Sequence, residues 1–371
     1  MKRSLESSAV VINPRRYPKA VTRLEKMLAK TDVSDVVVSS SKEDFISAVR
    51  AFCESSLDNI LVWGGDGTAH DAINAMMDHK EENPGQFDKS IGFLRGGSGN
   101  GIQDSYEIPH DLLKPLERQL VCYEESIREG YSMDVDLISA DDGYTRSYCQ
   151  IAGFGIDAKV LERREARSYK TGMLRGEAKA GMMNYALSSI ETALFDYEFT
   201  PLDIELKDGK NIVVGHRTKA EHRFNRVFRE TDAPLVELGT RPYYGKMFKI
   251  CPDVVCNDGF MDLYIFNFSN RLDGICKLPW LYAGKHDRIN RRFSGEGKPP
   301  IERYELKHAV FSSDRPFPYH IDGELCHSKN NGGEYQVQFS IVPEAIRFIV
   351  PGSFYRSFHW FENDRDTEKN A

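Results

Sequence analysis

Asp66 stands among glycines. The run Ile60 to Thr68, Ile-Leu-Val-Trp-Gly-Gly-Asp-Gly-Thr, is an apolar, strand-like segment entering a turn with Gly64, Gly65 and Gly67, and it leaves through the amphipathic run Ala69 to Met77. Such a turn leaves backbone N–H groups at the positive end of a helix, where phosphate can sit. Glycine allows the close approach and the φ > 0 conformations that wrapping phosphate requires. A carboxylate aimed at a polyphosphate repels it unless it serves the accompanying Mg2+, directly or through water, or takes a proton from an attacking hydroxyl. A plain strand-to-helix turn capped by Asp66 or Thr68 would use the same residues. A second unit follows about thirty residues on, where Ile91 to Leu94 runs into Arg95-Gly96-Gly97-Ser98-Gly99-Asn100-Gly101, with Ser98 and Asn100 as donors to phosphate or ribose. Two strand-plus-glycine units at this spacing predict neighbouring parallel strands whose C-terminal loops face one crevice. Near the C-terminus, Asp322-Gly323-Glu324 lies in the strand-like run Tyr319 to Leu325, where alternation would aim Asp322 and Glu324 to one face. Paired carboxylates raise each other's proton affinity, which suits a general base, whereas a hairpin turn would leave the acids solvated.

The elements that must hold these residues alternate. From Ala9 to about Gly130, apolar runs (Val10 to Ile12, Val36 to Val38) alternate with helix-like ones (Val21 to Ala29, Phe45 to Cys53), the pattern of a doubly wound α/β domain. After Tyr131 the signal changes. Met133 to Ser139 and Tyr148 to Ala152 flank Asp141-Asp142-Gly143, and Leu202 to Leu206 and Ile212 to Gly215 flank Asp208-Gly209, so two Asp-Gly hairpins and an antiparallel β-rich domain are expected. Lys170 to Phe195 reads as a Met-rich helix, packed on its own sheet or lining a lipid-tail pocket. Trp280, Leu281 and Tyr282 precede Lys285, His286, Arg288, Arg291 and Arg292, a solvated basic face or an anchor for an anionic membrane surface.

Composition narrows the partners. The chain has 371 residues, enough for two domains, and 40% hydrophobic content without a run long enough to span a bilayer. A net charge of −7 argues against nucleic acid, and seven cysteines without a CxxC pair argue for free thiols in a reducing compartment. Met1 to Ser8 is too polar for a signal peptide, so a cytoplasmic protein is expected.

Six motifs in register resemble the diacylglycerol kinase catalytic-domain family, which includes bacterial lipid kinases, sphingosine kinases and ceramide kinases. They are Val10 to Pro14, the GGDGT of Gly64 to Thr68, the GSGN of Gly97 to Asn100, the GFGIDA of Gly153 to Ala158, Tyr244 to Phe266 with Asp258-Gly259 and Asp262, and Asp322-Gly323-Glu324. Two positions depart from the family. Arg15, Arg16 and Tyr17 follow the Asn-Pro where a small residue is usual, and Asp71 stands where Glu is common.

The resemblance implies an α/β nucleotide-binding domain related to NAD kinase over residues 1–130. It implies a β-rich lipid-binding and catalytic domain over 131–371, whose end could return to the first. It implies ATP in the interdomain cleft, contacting Asn13, Ser39 to Ser41, Gly64, Gly65, Asp66, Gly67, Thr68, Asp71, Gly97, Ser98, Gly99 and Asn100. It also implies Mg2+ held by Asp258 with carbonyls of Val255 and Phe260, though Asp258-Gly259 alone would equally be a β-turn. Glu324 is the proton acceptor by likeness to the bacterial members, and Asp66 by likeness to sphingosine kinases. Asp157 would meet the acceptor's polar head, unless it caps the helix that follows, and Arg175 and Lys179 are candidate phosphate cations. The expected activity is ATP-dependent phosphorylation of a lipid hydroxyl, with a lipid substrate, peripheral contact at the inner membrane face and a homodimer as the expected partners. The competing readings are NAD kinase and a non-catalytic, nucleotide-dependent lipid sensor.

Overall fold

The computed structural model describes residues 5–15, 17–85, 87–110, 115–170, 201–216, 219–245 and 248–358. They form two compact units: one holds the described residues up to Val135 and those from Ala345 onward, the other Asp136–Glu344.

In the first unit, β1 (Ser8–Ile12), β3 (Asn59–Gly64) and β4 (Ser90–Arg95) are almost wholly buried apolar runs, as strands covered on both faces must be. β1 pairs in parallel with β2 (Asp35–Val38) and with β3, and β3 pairs in parallel with β4. On the other side of β4, Arg347 and Phe348 pair in parallel with Ser90 and Ile91. The connections are α1 (Pro18–Leu28), α2 (Lys42–Glu54) and α3 (Asp66–Glu82). α1 opens on a proline, which costs nothing at a position whose N–H has no helical partner, and buries Val21, Leu24 and Leu28. Ser41 caps α2 by accepting from the Asp44 N–H at 3.1 Å. α4 (Gly101–Ser105) and α5 (Pro115–Glu129) follow β4, and Phe348 meets Phe93 and Tyr106 edge to face.

The second unit is mainly antiparallel. β5 (Ser132–Asp141) turns into β6 (Arg146–Cys149) as expected, and a break at Gln150 starts a separate strand, β7 (Ile151–Gly155). β8 (Leu202–Ile212), β9 (Ala220–Thr231), β10 (Leu235–Gly239), β11 (Met261–Phe266), β12 (Glu302–Ser313), β13 (Pro318–Ile321), β14 (Glu324–His327), β15 (Lys329–Asn331) and β16 (Glu334–Ile349) complete it. Along the sheet, β14, β13, β7, β10, β11, β12 and β16 are successive neighbours, with β8 and β9 paired outward from β12. Aromatic rings fill the core, with Phe154 stacked on Phe311 at 4.2 Å beside Phe317, Tyr319 and Phe339. The family-type architecture, an α/β unit followed by a β-rich unit, is therefore present.

Two expectations are corrected here. The chain does not turn at Asp208-Gly209: β8 runs through it, paired to β12 and β9 on either side of the site, and the reversal comes after Ile212. A side chain at Gly209 would press on the Glu305 carbonyl at 2.5 Å, so this glycine serves close strand approach. The second correction is His286, which does not join a basic cluster. After α7 (Arg271–Tyr282) it opens α8 (His286–Glu296), 1% exposed against the rings of Tyr264 and Phe266, with Nε2–H donating to the Ile250 carbonyl at 2.8 Å. Leu281 is buried too, while Arg288 lies 4.7 Å over the Trp280 ring. The expected helix from Lys170 to Phe195, with Arg175 and Lys179, falls outside the described residues apart from Lys170, the last residue of α6 (Ile156–Lys170). Among the described residues no helix is long and apolar enough to cross a membrane.

Candidate active site

The two glycine loops of the first unit interlock. Gly96 N–H donates to the Gly64 carbonyl at 2.9 Å, and an added side-chain carbon on Gly65 would reach the Gly97 Cα at 3.0 Å, so both loops need glycine at their crossing. Asn100, at φ 59°, closes the second loop on itself: its Oδ1 accepts from the Gly97 N–H and its Nδ2 donates to the Gly97 carbonyl, each at 3.0 Å. Asp66 ties the loops together. Its Oδ1 accepts from the N–H groups of Gly101 and Ile102 at 2.6 and 3.2 Å, so it caps α4, not the helix it begins. The N-cap of α3 is Gly65, which has no side chain to cap it, and Asp66, Gly67 and Thr68 begin the positive end of this 17-residue helix.

The neighbouring candidates divide by what their side chains already do. Asn13 at the end of β1 donates to Thr68 Oγ1 at 3.0 Å, joining the Asn-Pro turn to the first loop. Ser39 is buried and donates to the Ile12 carbonyl, Ser40 donates to Asp44, and Ser41 is the α2 cap, so all three hydroxyls have structural partners. Asp71 pairs with Lys42 at 2.8 Å. Ser98 is exposed and Gly99 packs against the Asp66 carboxylate.

In the second unit the expectation of one face for Asp322 and Glu324 is overturned. Asp322 and Gly323, at φ 49° and 87°, form the two-residue turn between β13 and β14, a geometry that needs left-handed backbone at both positions. Asp322 points inward, accepting from the Gln150 and Ile151 N–H groups and from Arg241 at 3.1 to 3.2 Å, while Glu324 stands exposed at the start of β14. The turn separates the two acids, and Asp322 is neither solvated nor a partner for Glu324.

Asp258 sits in a half-buried turn where its Oδ1 accepts from the Phe260 N–H at 3.2 Å and the Gly259 N–H donates to Asp136 at 2.7 Å. Burial, then the charges of Asp262 and Glu305, push its carboxyl up to about 8. Arg303 pairs with Asp262 and lies 3.1 Å from Glu305, and Lys210 pairs with Glu305 at 2.6 Å. Among the described residues no cation pairs with Asp258 in this way, so a hard cation on its carboxylate would relieve the acidic crowding, and carboxylate oxygen is a ligand that Mg2+ prefers.

A third set of groups was only one-third visible beforehand. Asp157, at the start of α6, is hydrogen-bonded to His320 Nε2 on β13, and its other oxygen accepts from the Ala158 N–H at 2.8 Å. Glu237 on β10 places Oε1 3.8 Å from the same His320 nitrogen. Burial works against ionising Asp157, but His320 and the surrounding hydrogen bonds hold its carboxyl low. Burial and the Asp157 charge push Glu237 well up, and His320 is held protonated above its ordinary range by the two acids despite its burial. Glu237 and His320 both face Gly153 across the strand pairs β10–β7 and β13–β7, a coincidence of register that no local motif announces.

The chain is similar to known proteins over most of its length. Residues 8–138 match the model of the diacylglycerol kinase catalytic domain, and residues 151–350 match that of the YegS C-terminal NAD kinase beta sandwich-like domain. A "Probable lipid kinase YegS-like" protein of Shewanella frigidimarina is 23% identical over 324 residues, 85% of this chain and 84% of its own. A diacylglycerol kinase of Staphylococcus carnosus is 21% identical over 337 residues, 91% and 90% of the two chains. A crystal structure of a diacylglycerol kinase from Bacillus anthracis shares the fold at a TM-score of 0.58 and 15% identity, covering 94% of this chain and 98% of that one. Glycine loops, β-rich unit and matched models together place the chain in the diacylglycerol kinase catalytic-domain family of lipid kinases.

Proposed function

We propose that the protein transfers the γ-phosphate of ATP to the hydroxyl of a membrane lipid, diacylglycerol or a sphingoid-type alcohol. The observation that carries this reading is the locked pair of glycine loops, with glycine at the N-cap of α3. Oriented N–H groups there stabilise phosphate charge without reorganising, which is where phosphoryl transfer gains most of its rate. Asn13 and Thr68 fix the edge of that cradle. Asp66 keeps Oδ1 on α4, which holds its negative charge beside the loops where the Mg2+ that accompanies ATP would sit. When bound, Mg2+ would offset the negative charge of the phosphates, and a separate ion would do the same at the Asp258 turn.

Glu324 is the proton acceptor in this proposal, because it stands exposed at the start of β14, directly after the Asp322-Gly323 turn, where a lipid hydroxyl can reach it. Asp157 has both oxygens in use, so its proposed role is to fix the acceptor side of the second unit, not to grip a head group. ATP use and seven free thiols suit the cytoplasm, with peripheral contact at the inner membrane face and a homodimer as the assembly to look for.

Incubation with labelled ATP and a total lipid extract tests the reading. Label in a phospholipid is expected, label in NADP from added NAD would indicate an NAD kinase, and ATP binding without any labelled product would indicate a sensor.

A further inference from the structure

Asp157, Glu237 and His320 converge on a single point. A side-chain carbon built on Gly153 would lie 2.6 Å from Asp157 Oδ2, 2.7 Å from Glu237 Oε1 and nearer still to His320 Nε2, so glycine there leaves room where three ligand-type atoms meet. Those atoms lie within 4.8 Å of one another. A tetrahedral ion with bonds of ~2.0–2.2 Å sets its ligand atoms roughly 3.3–3.6 Å apart. The 3.8 Å between His320 and Glu237 already has that scale, and the closer His320 to Asp157 pair needs only to open.

The second observation is independent. Glu237 Oε2 is buried and lacks a hydrogen-bond partner on a side chain only 3% exposed, and as the second oxygen of the carboxylate at the meeting point it can reach an ion held there. Buried polar atoms seldom go unsatisfied without a ligand, water or ion to meet them. An ion binding here would displace the protons that His320 and Glu237 hold, and its two charges would then cancel the formal −2 of two carboxylates and a neutral imidazole, as burial demands. Asp157, on the first turn of α6, is 13% exposed, more than its two partners, so a fourth, water-type ligand would come from its side.

We propose that Asp157, Glu237 and His320 form a binding site for a divalent ion of the Zn2+ class, separate from the oxygen-only Asp258 turn. One nitrogen and two oxygen ligands favour such an ion over Mg2+, which prefers oxygen throughout. The site stands whether or not the protein phosphorylates lipids.

The test uses the full, untagged chain. After dialysis against Zn2+, about one equivalent should remain bound by elemental analysis, and Co2+ in its place should give visible absorption bands of a four-coordinate N/O site. Glu237→Gln keeps the shape and should weaken Zn2+ binding at least about tenfold, as should His320→Gln, while Asp258→Ala should bind as the wild type does. If His320→Gln fails to fold, Glu237→Gln still decides. A folded wild type that retains no Zn2+, or Zn2+ binding unchanged by Glu237→Gln, would overturn the assignment.

Discussion

At the scale of single residues, Asp66 and Glu324 carry separable jobs. Asp66→Asn keeps an oxygen to accept from Gly101 and Ile102, so the loops should hold and the melting temperature should change little. Turnover should still fall by at least about a hundredfold, because a charge beside the phosphates is gone. Near-normal activity would remove the glycine loops from the mechanism. Glu324→Gln should leave the ATP dissociation constant near the wild-type value while single-turnover phosphate transfer drops by roughly two to four orders of magnitude. Transfer at the wild-type rate would return the base to Asp66. His286 makes a different kind of prediction. Burial holds it neutral down to about 4, whereas an unfolded imidazole titrates near 6.5, so only the unfolded state gains a proton between those values. Stability is therefore full above about pH 6.5 and declines as pH falls toward 4, by roughly 2 to 3 kcal/mol from this group at pH 4.5. Urea unfolding at pH 7 and 4.5 should show a smaller pH penalty in His286→Gln than in the wild type, and equal penalties would discard the explanation.

At the scale of elements, legibility followed how local each feature is. The glycine loops could be read because strand, turn and helix start are contiguous, and no distant residue is needed to recognise them. Asp-Gly misled in two opposite directions. At Asp208 only the aspartate is left-handed, which one irregular position in a strand absorbs, so β8 continues. At Asp322 both residues are left-handed, so the chain reverses, and the alternation from Tyr319 to Leu325 failed because it counted through a turn. Glu237 and His320 could not be found from spacing, since they meet Gly153 only through the register of three strands. The loop crossing supplies a further expectation. Gly97→Ala would force the backbone of the two loops apart, costing about 1 to 3 kcal/mol of stability and abolishing measurable ATP binding, whereas Ser98→Ala, at an exposed position, should do neither. Calorimetric unfolding and nucleotide titration of both variants would check it.

At the scale of the whole molecule, the alternation before Gly130 and the β-rich remainder could be assigned from pattern because each unit has its own periodicity. Where the units divide could not be read in the same way, because the path depends on strands far apart in sequence. The chain passes between the units after Val135 and again after Glu344. Arg347 and Phe348 therefore complete a sheet whose other strands are formed by the first 95 residues, with Arg347 held by Asp134 and Asp88 and Phe348 against Phe93. That has a consequence for biosynthesis. As the polypeptide leaves the ribosome, β4 waits for its outer neighbour through the synthesis of more than two hundred residues, with an unpaired edge of the kind that recruits other chains. Ending translation at Glu344 should yield a product whose first unit is aggregation-prone and quickly cleaved, and splicing residues 345–358 directly after Val135 should restore protection in limited proteolysis. A nascent chain of this protein thus depends on whatever shields β4 until its last strand emerges.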